Sequence, residues 1–554
     1  EFICECNDLD GLLLAQLCRD YAWGTIHVGT TREMSLPNIV PTQVVPTTNR
    51  PRCLNLHHPM SLLRKLAGET AIYGFSYIIS RVFYYVVFTL YLTRVFNHDT
   101  SQFGIYRDLY FYVAIILVFL TFRMETTYFR YAKEDRPAVT AMSMTFLLLL
   151  SGLFMAILWI FVKPVSSWLE YPDMTTHILM LGGVLFFDTM SAVPFAMLRQ
   201  QNRPLRFLSL KLGSIFLNII LVLTIFEVLP RVAADTSWYQ TYFSADSKLF
   251  YVILSNLIAS GVTFLFLLPL MRHQVLRWDM EFFKRMLKYS WPLVIVAITG
   301  VINQYSSIAF QKWFLPGDVK SNLAQGGVYA AAASLAIILS LFTTAFNYAA
   351  EPFFFAHKDK EGSREVYADA ALAFTISGSV IMLGLLAYID IFQYLLGSNF
   401  RQGLSVVPIL LLSFLLLGIY YNFSAWYKLA DKTFLGSAIA VTGTVVTILL
   451  NIILLPLLGV AGSAWAALAC YLLMCVLSYI QGQKYFPIPY KTGRMVGWIV
   501  GAIGIFVVME GLRKFYGDHM PVGILINTVL VGLYLWLIWK LERPLLLQAR
   551  GRSL

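Results

Sequence analysis

Residues 137–162 read PAVTAMSMTFLLLLSGLFMAILWIFV, without a single charge. As a helix rising 1.5 Å per residue the stretch is about 39 Å long, more than the ~30 Å hydrocarbon thickness of a bilayer. A helix apolar on every side belongs in a core or in lipid, because a soluble surface helix needs a polar face. Comparable runs recur along the whole chain. Fourteen spans are predicted, at roughly 71–96, 107–130, 137–162, 175–199, 206–229, 248–271, 287–312, 327–352, 366–390, 404–429, 434–456, 459–483, 494–513 and 522–541. Composition agrees. Of 554 residues 58% are hydrophobic and 13% charged, against about 25% charged in a soluble globular protein. An all-α polytopic membrane protein is therefore expected. A soluble enzyme, a secreted disulfide scaffold and a nucleic-acid-binding domain are excluded. The net charge of +11 is assigned to loops on the cytoplasmic side.

Residues 1–59 are set apart. They hold Cys4, Cys6, Cys18 and Cys53 and a scatter of prolines, but no spanning run and no signal-peptide pattern. The cysteine spacing fits no zinc pattern well. Met60-Ser61-Leu62-Leu63-Arg64-Lys65 reads as a natural start, so 1–59 is expected to be a non-membrane tail, foreign to the native start or disordered. Lys and Arg number 26 in the lead, the even-numbered connections and the C-terminal tail, against 10 in the odd-numbered connections. The positive-inside rule then places both termini in the cytoplasm. The basic, amphipathic stretch from Glu281 to Tyr289 is expected at the inner interface, leading into the seventh span.

The chain also repeats itself. Phe103-Gly104-Ile105-Tyr106 opens the second span and Gly326-Gly327-Val328-Tyr329 the eighth. Ala114-Ile115-Ile116-Leu117 returns as Ala336-Ile337-Ile338-Leu339, and Tyr131-Ala132-Lys133 as Phe355-Ala356-His357-Lys358. An offset of 222 to 224 residues spans six helices, so the two halves run parallel and suit alternating access around a midplane cavity. The expected domains are an N-terminal six-helix lobe (60–275), a C-terminal six-helix lobe (276–490) and two further membrane helices with a basic tail (491–554).

Several short stretches follow one another in a telling order. They are Tyr91-Leu92-Thr93-Arg94-Val95-Phe96, Lys288-Tyr289-Ser290-Trp291-Pro292-Leu293, Val407-Pro408-Ile409-Leu410 and Ala430-Asp431-Lys432-Thr433. Asn451-Ile452 and Leu455-Pro456-Leu457-Leu458-Gly459-Val460-Ala461-Gly462-Ser463-Ala464 close the series. Over about residues 60–490 the chain resembles the polysaccharide and oligosaccharide-lipid flippases of the multidrug/oligosaccharidyl-lipid/polysaccharide exporter superfamily, which include O-antigen-unit and lipid II flippases. The resemblance implies a fourteen-helix, two-lobe transporter of lipid-linked sugars. Where family members often carry Asp-Arg after Asn-Gln in the seventh span, this chain has Ser306-Ser307 after Asn303-Gln304-Tyr305.

Charges at membrane depth are costly and should be paired or line a wet cavity. Arg81 lies ~15 Å and Arg123 ~10 Å from the inner ends of spans one and two. Asp188 sits mid-way along span four and Glu125 near the inner end of span two. Guanidinium is always charged and makes forked bonds to phosphate, so Arg81 and Arg123 are expected to hold a diphosphate headgroup, with Asp188 beside them. The alternative is that Arg81 or Arg123 pairs with Asp188 or Glu125 and fixes helix packing. An offset of 223 carries Arg81 to Gln304, a neutral amide. Asn303, Gln304, Tyr305 and Asn347 are therefore the expected partners of sugar hydroxyls, or else interhelical hydrogen-bonders.

The chain has no phosphate-binding glycine loop and no His or Cys metal pattern near a span. It is not expected to be an enzyme, and no cofactor or metal is expected. The expected function is flipping of a polyprenyl-diphosphate-linked oligosaccharide across a bacterial cytoplasmic membrane, for surface polysaccharide or envelope glycan export. The expected partners are that glycan, membrane lipids and a coupling ion, H+ or Na+, acting on a monomer. The competing expectation is a cation-coupled drug antiporter of the same superfamily.

Overall fold

The computed structural model describes residues 81–551 apart from 202, 234, 238, 240–242, 244–246, 272–277, 357–361, 431 and 517–518. The expected tail 1–59, the Met60 start, the first half of span one and the third repeat echo near residue 358 lie outside the described residues. The described chain is helix and loop. Thirteen of its helices are long and apolar enough to cross a membrane. In chain order they are α2 Thr100–Tyr131, α3 Arg136–Trp168, α4 Thr175–Gln200, α5 Pro204–Ala233, α6 Lys248–Leu270, α7 Met280–Tyr305 and α8 Val319–Asn347. Then follow α9 Ser363–Ala387, α10 Ser398–Leu429, α11 Thr433–Leu458, α12 Ala461–Tyr485, α13 Thr492–Phe515 and α14 Met520–Arg543. Ahead of them α1 enters the described region as π-helical Phe83–Thr89 and continues as α-helical Leu90–Val95. The chain is thus an all-α multi-pass membrane protein of two six-helix lobes, α1–α6 and α7–α12, plus an appended pair.

Where helices start earlier than hydropathy suggests, a cap explains it. Asp99 accepts a hydrogen bond from the Ser101 amide at 3.0 Å and starts α2 at Thr100. Asp279 accepts from the amides of Glu281 and Phe282 and starts α7 at Met280. Both satisfy amides that the first turn leaves without partners. The Glu281–Tyr289 segment is therefore the opening of α7. Its Phe282, Phe283, Met286 and Tyr289 are buried with Tyr131 and Met142 of the first lobe, while Glu281, Lys284, Arg285 and Lys288 are exposed.

Pro194 and Pro292, the natural places to look for kinks, sit inside helices that run on through them. The backbone leaves the helical region instead at Phe122 and Arg123, both left-handed, at φ 46° and 53°, and inside α3 at Phe161, at φ −104° and ψ 16°. The first of these splits α2 into Thr100–Thr121 and Met124–Tyr131.

Burial sorts the helices into rings. The apolar window of α3, α5 and α14 is only 17% buried, whereas that of α4, α8, α9 and α10 is 61% buried. The first group lies at the periphery, the second forms the interior. The appended pair α13–α14 docks on α9. The Tyr534 and Ser379 hydroxyls meet at 2.9 Å, Asn527 donates to the Ala387 carbonyl at 2.7 Å, and Glu542 accepts from Arg494 at 2.6 Å and from the Trp498 indole at 2.9 Å.

The motif around Asn451 builds the α11–α12 turn. Gly459 takes φ 61°, and a methyl group on Gly462 would sit 2.5 Å from the Leu454 carbonyl oxygen. Asn451 donates to the Thr447 carbonyl at 2.8 Å and accepts from the Ser463 hydroxyl at 2.7 Å, all of it buried. Asn451→Ala should lower stability by about 1–2 kcal/mol, read as a lower melting midpoint of the purified protein in detergent. An unchanged midpoint would mean that the two glycines hold the turn alone.

Candidate functional site between the lobes

Two ends of the helix bundle must be distinguished. One carries the loops 97–99, 169–174 and 315–318 and is called the seam end below. The other, the basic end, carries the chain between α2 and α3 and between α12 and α13.

At the seam end α2 and α8 touch backbone to backbone. A methyl group on Gly104 would lie 1.9 Å from the Leu323 carbonyl oxygen, and one on Gly327 2.3 Å from that of Thr100. Only glycine permits this approach. The contact is flanked by two ties. On one side the Arg94 guanidinium donates to the Tyr394 carbonyl at 2.9 Å, and the Gly397 amide donates to the Thr93 hydroxyl at 3.1 Å. On the other, the Lys312 ammonium donates to the Leu169 carbonyl at 2.6 Å and to Asp108 Oδ2 at 3.0 Å. Lys312 lies on the short helix Ser307–Phe314 that follows α7. The Tyr171 hydroxyl donates to the same Asp108 oxygen at 2.6 Å. Both charged side chains are fully buried. Burial, and then the Asp108 carboxylate, push the Tyr171 phenol far above its ordinary value, so it remains a donor.

At the basic end the first half of α7 lies against the first lobe. The Thr127 and Ser290 hydroxyls meet at 2.5 Å, and the Arg130 guanidinium stands 4.5 Å from the Tyr289 ring centroid. Beyond Pro292 the same helix joins the second lobe through Thr444, which donates to the Thr299 carbonyl at 3.4 Å.

The predicted residues divide. Arg123 forms an ion pair with Glu125 at 3.3 Å, beside the left-handed break. This is one of the pairings set out above as the alternative to a headgroup site. Asp188 accepts from the Ser260 hydroxyl of α6, and the cation acting on it is Lys211 of α5. Its charge is also felt by Tyr110 of α2. Arg81 of the first lobe acts electrostatically on Tyr421 of α10, across the lobes. Asn303 is held on both sides: Thr447 donates to its side-chain oxygen and Tyr471 to its carbonyl, each at 3.2 Å. Gln304 is exposed, while Tyr305 and Asn347 are half-buried. A cavity of 290 Å³ at the seam end, lined by Thr100, Ser321, Gln325 and Gln402 among others, includes none of these seven residues.

Three features were not foreseen. Lys211 lies about 10 Å into α5 yet is exposed, though a count of loop charges treats it as a flanking cation. Asp108 and Lys312 stand at the margins of apolar runs, where charge is unremarkable. Tyr421 is one aromatic among many.

Solved structures that share this architecture include the following transporters. "Lipid II flippase MurJ, inward closed conformation" matches with TM-score 0.64 and 13% identity, over 83% of this chain and 98% of that one. At this identity the likeness is one of fold. An "inward-facing conformation of a multidrug resistance MATE family transporter of the MOP superfamily" matches with TM-score 0.57 and 13% identity, over 74% and 96%. "MATE in complex with MaD3S" matches with TM-score 0.53 and 13% identity, over 78% and 96%. No protein-family model and no curated protein sequence matches the chain. In this fold Arg81 of the first lobe acts electrostatically on Tyr421 of the second. Asp188 and Lys211 form a separate group on the first lobe, with Ser260 and Tyr110.

Proposed function

We propose that the protein flips a polyprenyl-diphosphate-linked oligosaccharide across a bacterial cytoplasmic membrane by alternating access, serving surface polysaccharide or envelope glycan export. The basic end faces the cytoplasm and the seam end the outside. The reading is carried by a division of charge. Arg81 and Lys211, cations at membrane depth, belong to the first lobe. Arg81 acts on the Tyr421 phenol of the second lobe; Tyr421 in turn acts on Tyr471, whose hydroxyl donates to the Asn303 carbonyl. An exposed ammonium inside a span is tolerable where water reaches it, so Lys211 marks the wet side of α5. Cations on one wall suit a diphosphate, and hydroxyl and amide groups on the other suit a sugar chain. H+ or Na+ would couple the cycle.

A drug antiporter would instead use Asp188 to attract a cation. Lys211 already answers that charge, which disfavours a second cation there. Deleting the gene should cause a polyprenyl-diphosphate saccharide to accumulate in the membrane and leave susceptibility to cationic drugs unchanged. Drug hypersensitivity without accumulation would reverse the assignment.

A further inference from the structure

We propose that the buried Asp108–Lys312 pair is the latch of the seam end: it holds α2 against the helix Ser307–Phe314 beside the α2–α8 contact, and its separation is what the opening of that end requires. The two ties beside the glycine contact are related by the internal repeat. An offset of 223 residues carries Tyr171 onto Tyr394. In both ties a cation at the end of one lobe's first helix donates to a carbonyl in the other lobe's loop: Lys312 to Leu169, Arg94 to Tyr394. They differ in charge balance and in solvent. Arg94 is exposed, and a solvated tie of that kind contributes little. Lys312 is dry and has an acid opposite it. The same offset carries Asp108 onto Ala331 and brings Lys312 back onto Thr89, so the repeat-related tie has no such pair. Among the described residues the other Asp108 oxygen, Oδ1, is buried without a partner, and the carboxylate is met by Lys312 and Tyr171.

This arrangement makes single and double neutralisation act in opposite directions. Removing one charge strands the other in a dry contact when the seam is closed, but not when the seam is open and wet. Single variants therefore favour the open seam. Replacing both charges by apolar side chains leaves a contact that water opposes exposing, so the double variant favours the closed seam. A role in packing alone would move both kinds of variant the same way.

Cysteine at Ala331, which is fully buried one helical turn beyond Gly327, reports the opening. The full-length protein in lipid nanodiscs is treated with a charged thiol reagent, and modification at position 331 is followed by mass spectrometry. Labelling should be slow in the parent and about a hundredfold faster in Lys312→Met and in Asp108→Asn. It should be no faster than the parent in the Asp108→Leu, Lys312→Met double variant. Equal rates in parent and single variants, or a joint rise in single and double variants, would overturn the latch. If Lys312→Met fails to insert, Asp108→Asn carries the expectation alone. The readout involves no substrate, so its failure leaves the glycan assignment standing, and failure of the accumulation experiment leaves the latch standing.

Discussion

Gly104→Val should cut transport severely while the protein still reaches the membrane. The first atom of any side chain there would lie 1.9 Å from a backbone oxygen of Leu323 and 2.7 Å from its carbonyl carbon. No flexible side chain can give way, so α2 and α8 must move apart. Forced separation of a packed contact costs about 1–3 kcal/mol and more when backbone is involved. That penalty falls on the state closed at the seam and not on one in which the helices have parted. A transporter must visit both states, and a shift of this size depopulates one of them by ten- to a hundredfold. Export by Gly104→Val should fall below about a tenth of the parent rate. Gly152→Val is the control, because nothing lies within 4 Å of a methyl group there. It should transport normally. Full activity of Gly104→Val would show that the seam never closes as described.

The second large effect is expected at the cations of the first lobe. A hydrogen bond to a charged group contributes roughly 1.5–3 kcal/mol, so Arg81→Ala and Lys211→Ala should each weaken headgroup binding by about ten- to a hundredfold. The double variant should stop export at normal abundance. Arg81→Lys should rescue only in part, since an ammonium lacks the planar fork. Arg123 should behave differently because it is paired with Glu125. Arg123→Ala should reduce the amount of protein in the membrane, and adding Glu125→Gln should restore it by removing the stranded acid. Normal export by a well-expressed Arg81→Ala, Lys211→Ala protein would remove the diphosphate site from the first lobe. In that case Asn303, Gln304, Tyr305 and Asn347 would lose the reason for their assignment to the sugar.

Spans such as 137–162 were legible because a bilayer demands about twenty apolar residues in a row, and few other requirements leave so plain a mark. The repeat was legible through Phe103-Gly104 and Gly326-Gly327, because glycine at a backbone contact tolerates no substitute. The Asp108–Lys312 pair was not. Each residue sits at the margin of an apolar run, and the contact joins positions 204 residues apart. Local pattern cannot register a contact of that range. The break at Phe122–Arg123 was hidden for the opposite reason. Left-handed backbone is usually signalled by glycine or asparagine, and here two bulky side chains adopt it beside an ion pair. Pro194 and Pro292 lie inside unbroken helices, whereas the non-helical residue of α3 is Phe161, three residues before Pro164. Arg123 was correctly seen as costly in a membrane, but sequence could not decide between a substrate and Glu125 two residues away.

Gly104 and Gly327 are separated by 223 residues, so each meets its own counterpart. A methyl group on Gly104 would lie 3.2 Å from the Gly327 amide nitrogen, and one on Gly327 3.0 Å from that of Gly104. This is the geometry of an isologous interface, in which a patch near the two-fold axis faces a copy of itself. A six-helix half with glycine at this position is self-complementary there, as a homodimer of such halves would need to be. Residues on the axis of a covalently fused pair remain bound to one another: neither glycine can enlarge unless the other half yields. Away from the axis the halves are free to diverge, and an acid in one and a lysine in the other give the fused chain a polarity that no symmetric dimer could possess.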